Sequence, residues 1–252
     1  MRRSDDEVGE HWVFKGGTAL AKCHFTQYRF SEDLDFTCLR AITGEPLLRT
    51  TDCAGRAMQE SVGVRTDAQA TVIDVIRDDY GRESFEARVY YRGPWDYGGS
   101  LRSLRIHPNR DESMLFPSQS KPVRHTYSDR SDLPEASIRV YSLEEILAEK
   151  LRAFSGQRRY AIARDLYDIR FLSDASVRIA EVLGAFPKKC AVKGMEVRNI
   201  DLATIVRRKS EYEANWENNL EYLIPENLKV PFEDAWAVSI DLLRKAIGGE
   251  FS

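Results

Sequence analysis

The period of the hydrophobic pattern changes once along this 252-residue chain, near residue 141, and one kind of regular element cannot serve both halves. Before that point apolar residues alternate. Phe85, Ala87, Val89 and Tyr91 are interleaved with Glu86, Arg88, Tyr90 and Arg92, the two-residue period of a half-buried strand. Thr71 to Ile76 is β-branched, and Leu104 and Ile106 alternate with Arg105 and His107, while Leu47 to Val62 has helical spacing. Beyond residue 141 the apolar stripes recur every three or four residues, at Ile146, Leu147, Leu151 and Phe154, then at Tyr212, Trp216, Leu220 and Leu223, then at Phe232, Trp236, Ile240, Leu243 and Ile247. Ser142 with Glu145 three residues on forms a capping box, a further helix is expected from about Ala163 through Leu172, and Pro231 opens the last. The first half therefore reads as α/β and the second as all helix, with the aromatic stripes assigned to packing.

Two stretches of the first half break the pattern. Gly93 to Ser100 is expected as a turn, and the polar, proline-punctuated segment from Pro108 to Pro134 as a long functional or mobile loop. No run approaches the roughly 20 apolar residues of a membrane span, and the acidic N-terminus lacks an apolar signal core, so a cytoplasmic protein without membrane attachment is expected. Cys23, Cys38, Cys53 and Cys190 form no Cys-x-x-Cys pair and are read as reduced, mostly packed thiols. The four histidines show no zinc-ligand spacing.

Within this frame the run Phe30-Ser31-Glu32-Asp33-Leu34-Asp35-Phe36 places two carboxylates two residues apart. On a strand they share one face about 6.5 Å apart, a spacing suited to holding divalent cations against a triphosphate. An aspartate-rich strand edge would read the same way. Upstream, Lys15-Gly16-Gly17-Thr18 joins a short apolar stub to a helix-forming stretch expected to begin near Thr18. Glycines there let backbone approach a ligand, and Thr18 offers a hydroxyl donor, although the lysine precedes the glycines, unlike a Walker motif. The net charge of −3 excludes a uniformly basic nucleic-acid-binding surface and confines any such surface to local windows. One window carries Lys150, Arg152, Arg158, Arg159, Arg164 and Arg170; the other carries Lys188, Lys189, Lys193, Arg198, Arg207, Arg208 and Lys209. The second could equally be a solvated face; for the first, that reading carries less weight because of its position.

Four ordered blocks, Lys-Gly-Gly-Thr-Ala-Leu at 15 to 20, Arg-Phe-Ser-Glu-Asp-Leu-Asp-Phe at 29 to 36, Glu-Glu-Ile-Leu-Ala-Glu-Lys-Leu-Arg-Ala at 144 to 153 and Arg-Asp-Leu-Tyr-Asp-Ile at 164 to 169, resemble the AbiEii/AbiGii toxin family of nucleotidyltransferases. The resemblance implies an α+β fold: a polymerase-β-like nucleotidyltransferase core over 1–140, with a mixed sheet and flanking helices, and an all-helical domain over 141–252 contributing Lys150 and Asp165 to the cleft. It implies the toxin of a bacterial toxin–antitoxin or phage abortive-infection pair, with an NTP substrate, Mg2+ or Mn2+ as cofactor and a cognate antitoxin as partner. Lys15, Gly16, Gly17, Thr18 and Ser31 would then line the nucleotide, Asp33 and Asp35 would bind metal, Lys150 would face the triphosphate, and Asp165 would be a further acid with Asp168 behind it. Taken without the family, Lys150 and Asp165 read equally well as a surface ion pair.

The acceptor is expected to be RNA such as tRNA, with Arg152, Arg158, Arg159 and Arg164 as candidate contacts, because clustered cations bind a phosphate backbone. A protein or small-molecule acceptor is the alternative. One departure from a polymerase-β-like pattern motivates a third reading, a non-catalytic NTP-binding module. The later strand expected to carry a third carboxylate offers His107 instead, leaving Asp74, Glu86, Asp111, Glu112 or Asp165 as replacements.

Overall fold

The computed structural model describes residues 11–40, 44–77, 83–92, 101–109, 112–126, 128 and 135–248, which form two compact units. The turn expected at 93–100 and the candidate ligand Asp111 lie outside the described residues. Among the described residues no helix is long and apolar enough to cross a membrane.

The first unit is built on a seven-stranded sheet: β1 (Trp12–Lys15), β2 (Leu34–Cys38), β3 (Arg65–Arg77), β4 (Glu83–Arg92), β5 (Arg102–Asn109), β6 (Gln119–Pro122) and β7 (Ser137–Val140), in spatial order β3-β4-β5-β2-β1-β7-β6. It is mixed: β2 runs antiparallel to β1 and parallel to β5, and β4 is antiparallel to both of its neighbours. The sequence alternation becomes two chemically distinct faces. Trp12, Leu34, Phe36, Ile73, Phe85 and Ile106 pack on the apolar side, around Phe14, Cys38 and Ala87. Helix α1 (Gly16–Ala19), which continues as a wider turn over Leu20–His24, places Ala19 and Cys23 on that side; α2 (Gly44–Val62) contributes Leu47. The polar segment after residue 108 is not one uninterrupted loop, because Gln119–Pro122 lies within it as a strand.

The second unit is helical: α3 (Leu143–Arg152), α4 (Ala163–Ser173), α5 (Ile179–Ala191), α6 (Leu202–Arg207), α7 (Lys209–Asn219) and α8 (Phe232–Gly248). Ser142 caps α3, its hydroxyl accepting from Glu145 N–H at 3.2 Å. Phe154, Tyr212 and Trp236 interlock with ring centroids 5.5, 5.8 and 5.7 Å apart, and Tyr167 and Trp216 extend the cluster at 6.2 Å. The packing role expected of these stripes is what the structure shows.

Two short pieces from earlier in the chain, Gln27–Phe30 and Ser113–Gln119, also belong to this helical unit. Buried polar bonds hold each in place. Glu145 accepts the Leu115 and Phe116 N–H groups, both at 2.8 Å, and pairs with Lys189, which also donates to the Ser113 carbonyl at 2.9 Å. Burial of this carboxylate and ammonium together is tolerable because each is paired and hydrogen-bonded.

Candidate active site

Asp35 defines the site on the sheet. It lies on β2 opposite Lys15 of β1 and, on its other side, in register with His107 of β5. Ala87 faces Ile106 across β4 and β5, which sets Glu86 across from His107, and Asp74 of β3 faces Glu86 in turn. Cross-strand partners share a face, so Lys15, Asp35, His107, Glu86 and Asp74 form one titratable row on the polar side of the sheet.

The glycine turn meets this row at Asp35. Gly16 has φ +74°, and a Cβ placed on it would lie 2.6 Å from Asp35 Oδ2, so the position excludes side chains both by backbone conformation and by contact. Helix α1 begins at Gly16, two residues earlier than the sequence suggests, because the left-handed glycine directly follows the extended Lys15. Thr18 does not offer its hydroxyl proton to a ligand. It donates to the Asp33 carbonyl at 2.6 Å and so pins the backbone that carries Asp33. The Asp33 carboxylate is partly exposed, with Arg105 Nε at 3.9 Å. Gly17 is buried, Ser31 is half-buried, and Lys15 lies 3.9 Å from Glu112.

Glu86, one of the candidates for a third carboxylate, is engaged along the row. His107 Nε2 is 3.5 Å from Glu86 Oε2, and Glu86 is further tied to Arg88. Among the described residues no group of three or more His, Cys, Asp or Glu side chains is placed to hold a metal ion. Magnesium, however, is usually held by one or two carboxylates, with substrate phosphates and waters completing its shell, and the Asp33 and Asp35 donor set fits that requirement.

In the helical unit Lys150 and Asp165 are not a surface pair. Lys150 Nζ lies 2.7 Å from Asp165 Oδ1 and 2.9 Å from Asp168 Oδ2, with both carboxylates buried. Burial works against every charge in this group, and the pairing outweighs it. Lys150 is held protonated by Asp165 and Asp168; Asp165 is kept below its ordinary pKa by Arg158 and Lys150. Asp168 is depressed further, by Arg29, Lys150 and a hydrogen bond from Tyr28.

The two aspartates differ in what they have left to offer. Asp168 accepts Tyr28 Oη at 2.7 Å and Arg29 Nε at 2.6 Å on one oxygen, and Arg29 Nη2 at 2.7 Å and Lys150 on the other. An ionised carboxylate has about four acceptor sites, so Asp168 is saturated and acts as an anchor. Asp165 pairs, among the described residues, with Lys150 and, at 3.0 Å, with the exposed Arg158. Arg29 and Tyr28 are partners of Asp168 that sequence reasoning missed; the sole signal was Arg29 directly preceding the Phe-Ser-x-Asp-x-Asp run.

The basic windows change character. Arg152 is buried and Arg164 half-buried, while Arg158 and Arg159 are exposed. In the second window Lys189 is fully buried against Glu145, Arg198 pairs with Glu196, Arg208 with Glu211 at 2.9 Å, and Lys209 with Glu233 at 2.6 Å. That window is largely neutralised by its own ion pairs. Cys23, Cys38, Cys53 and Cys190 are all free thiols, and burial pushes Cys23 and Cys190 up to about 11.

Comparison with known proteins supplies the family. Among curated proteins none matches the chain. Among solved structures the chain is similar to MenT4, the nucleotidyltransferase toxin Rv2826c from Mycobacterium tuberculosis H37Rv, with 20% identity and a TM-score of 0.51, covering 97% of this chain and 77% of that one; this likeness shows the fold. The family model described as nucleotidyl transferase AbiEii toxin, type IV TA system, matches residues 1–238. With a sheet that sets Asp35 against a glycine turn and a family match over nearly its whole length, the chain belongs to the AbiEii nucleotidyltransferase toxins of type IV toxin–antitoxin systems.

Proposed function

We propose that this toxin transfers a nucleoside monophosphate from an NTP to an RNA acceptor such as tRNA, with a divalent cation held by Asp33 and Asp35. The observation that carries the reading is the close approach of Asp35 to Gly16, which joins the carboxylate pair to the turn whose backbone can receive phosphates. Magnesium or manganese bound there would neutralise triphosphate charge and lower the pKa of the attacking hydroxyl.

The protein groups have separate tasks. Gly16, Gly17 and Ser31 seat the phosphates, and Lys15 adds a cation beside Asp35 on the same sheet face. Thr18 keeps Asp33 in place through its carbonyl rather than touching the nucleotide. Lys150 is held protonated, as a group that neutralises phosphate charge must be, and Asp165 keeps acceptor capacity that Asp168 lacks. The exposed Arg158 and Arg159, with Arg164, favour a phosphate-rich acceptor; the buried Arg152 is left out of that group. A cognate antitoxin completes the system that the family implies.

The test is incubation with total RNA, Mg2+ and each α-labelled NTP in turn, beside the Asp33→Ala variant. Label on a discrete RNA band, absent from the variant, is the expected result. Label on protein or on a small molecule would reject the RNA acceptor, and binding of NTP without any product would reject turnover.

A further inference from the structure

The strap between α3 and α4 carries an aromatic side chain for which packing gives no account. Tyr160 is 69% exposed, on a surface where the other aromatic residues of the strap's neighbourhood, Phe154, Tyr167 and Tyr212, are buried. Its backbone is nevertheless fixed on both sides. Arg208 Nη1 donates to the Arg158 carbonyl at 3.3 Å and its Nη2 to the Arg159 carbonyl at 3.0 Å, while Ala161 is buried and Asn215 Oδ1 accepts the Ala163 N–H at 2.9 Å. The strap begins where Gly156, at φ +108°, turns the chain out of the helical path.

A cation lies beside the ring. The Arg159 guanidinium lies 5.5 Å from the Tyr160 centroid, and Arg158 pairs with Asp165, which itself holds Lys150. The aromatic strap is thus joined, through one ion pair, to the cation and acid assigned to the reaction. An exposed ring on a held backbone, flanked by two arginines, is the combination by which proteins bind single-stranded nucleic acid: the ring stacks an unpaired base and the cations meet its phosphates. A hydrophobic peptide fits poorly, because the residues flanking the ring are the charged Arg159 and the buried Ala161. Duplex RNA fits poorly too, since its bases are already stacked.

We propose that Tyr160 is a stacking platform for one unpaired base of the acceptor RNA, with Arg158 and Arg159 on the adjoining phosphates. This rests on the RNA-acceptor reading and adds that the acceptor is engaged as a single strand. Because the strap is fixed before binding, little ordering of the protein opposes the contact.

Fluorescence anisotropy at one fixed salt concentration, with a labelled single-stranded RNA octamer and a blunt hairpin of the same composition, tests it on the full chain. Tyr160→Ala is expected to weaken octamer binding roughly tenfold. Tyr160→Phe should stay within about twofold of wild type, since the ring face is retained, and hairpin binding should not respond to either change. An abasic substitution scanned along the octamer should find one position that costs the wild type the same factor and costs Tyr160→Ala nothing further. Equal octamer affinity in wild type and Tyr160→Ala overturns the platform, as does loss of antitoxin binding alone. If wild type labels RNA while Tyr160→Ala binds and labels equally, only the platform falls. If wild type labels no RNA and binds none, the acceptor reading falls with it.

Discussion

Asp35 Oδ2 occupies the space that a side chain on Gly16 would need, 2.6 Å from the position of its Cβ. A glycine of the turn and a carboxylate of the next strand are therefore one structural unit. Gly16→Ala is expected to displace Asp35 and to force a left-handed backbone on an alanine, at a cost of about 1 to 3 kcal/mol. Nucleotidyl transfer should fall by at least about a hundredfold, since misplacing a reacting group by about 1 Å costs that much. Steady-state kinetics with denaturant titration on the same sample separates the two effects.

Asp168 takes four hydrogen bonds or ion pairs in the helical unit, and its removal should be felt as stability. Asp168→Asn leaves the buried Arg29 with a neutral partner, while Lys150 keeps Asp165; we expect the loss to cost about 3 to 5 kcal/mol. Urea unfolding of variant and wild type measures it.

The same network predicts acid sensitivity. Folded Asp165 and Asp168 hold their charge to lower pH than they do in the unfolded chain, where a carboxyl takes up its proton near about 3.9. The stability they add is complete above that value and is lost as pH falls below it. Unfolding free energy followed from pH 6 to pH 3 should drop in wild type, and the drop should be shallower in Asp168→Asn.

Lys189 gives a cleaner case of a buried charge. Lys189→Met leaves Glu145 buried without its cation and should cost about 3 to 5 kcal/mol. Adding Glu145→Leu should restore only part, because Glu145 also accepts the Leu115 and Phe116 N–H groups. A double-mutant cycle by thermal unfolding reads both numbers.

These two networks also mark where the sequence stops being informative. The alternation through Phe85 to Arg92 and the cap at Ser142 are local patterns, and both emerge as the elements they suggest. Glu145 shows the limit: its place three residues after Ser142 is legible, yet its side chain bonds to Leu115, Phe116 and Lys189. Arg29 and Asp168 are 139 residues apart, and no periodicity announces a polar contact between distant positions. Lys189 read as one charge in a basic run because composition does not report burial. At the site, the carboxylate pair and the glycine turn were readable from spacing, whereas the engagement of Thr18 with the Asp33 carbonyl required coordinates.

In the proposed function, Asp33 and Asp35 hold the cation on which nucleotidyl transfer depends. Titration of Mn2+ by electron paramagnetic resonance in the presence of a non-hydrolysable NTP, on wild type and Asp33→Ala, with labelled-NMP transfer measured on the same samples, tests it most directly. Asp33→Ala is expected to keep its fold, to weaken Mn2+ binding by at least about tenfold and to transfer no detectable label. Wild-type Mn2+ affinity and full transfer in a well-folded Asp33→Ala would contradict it.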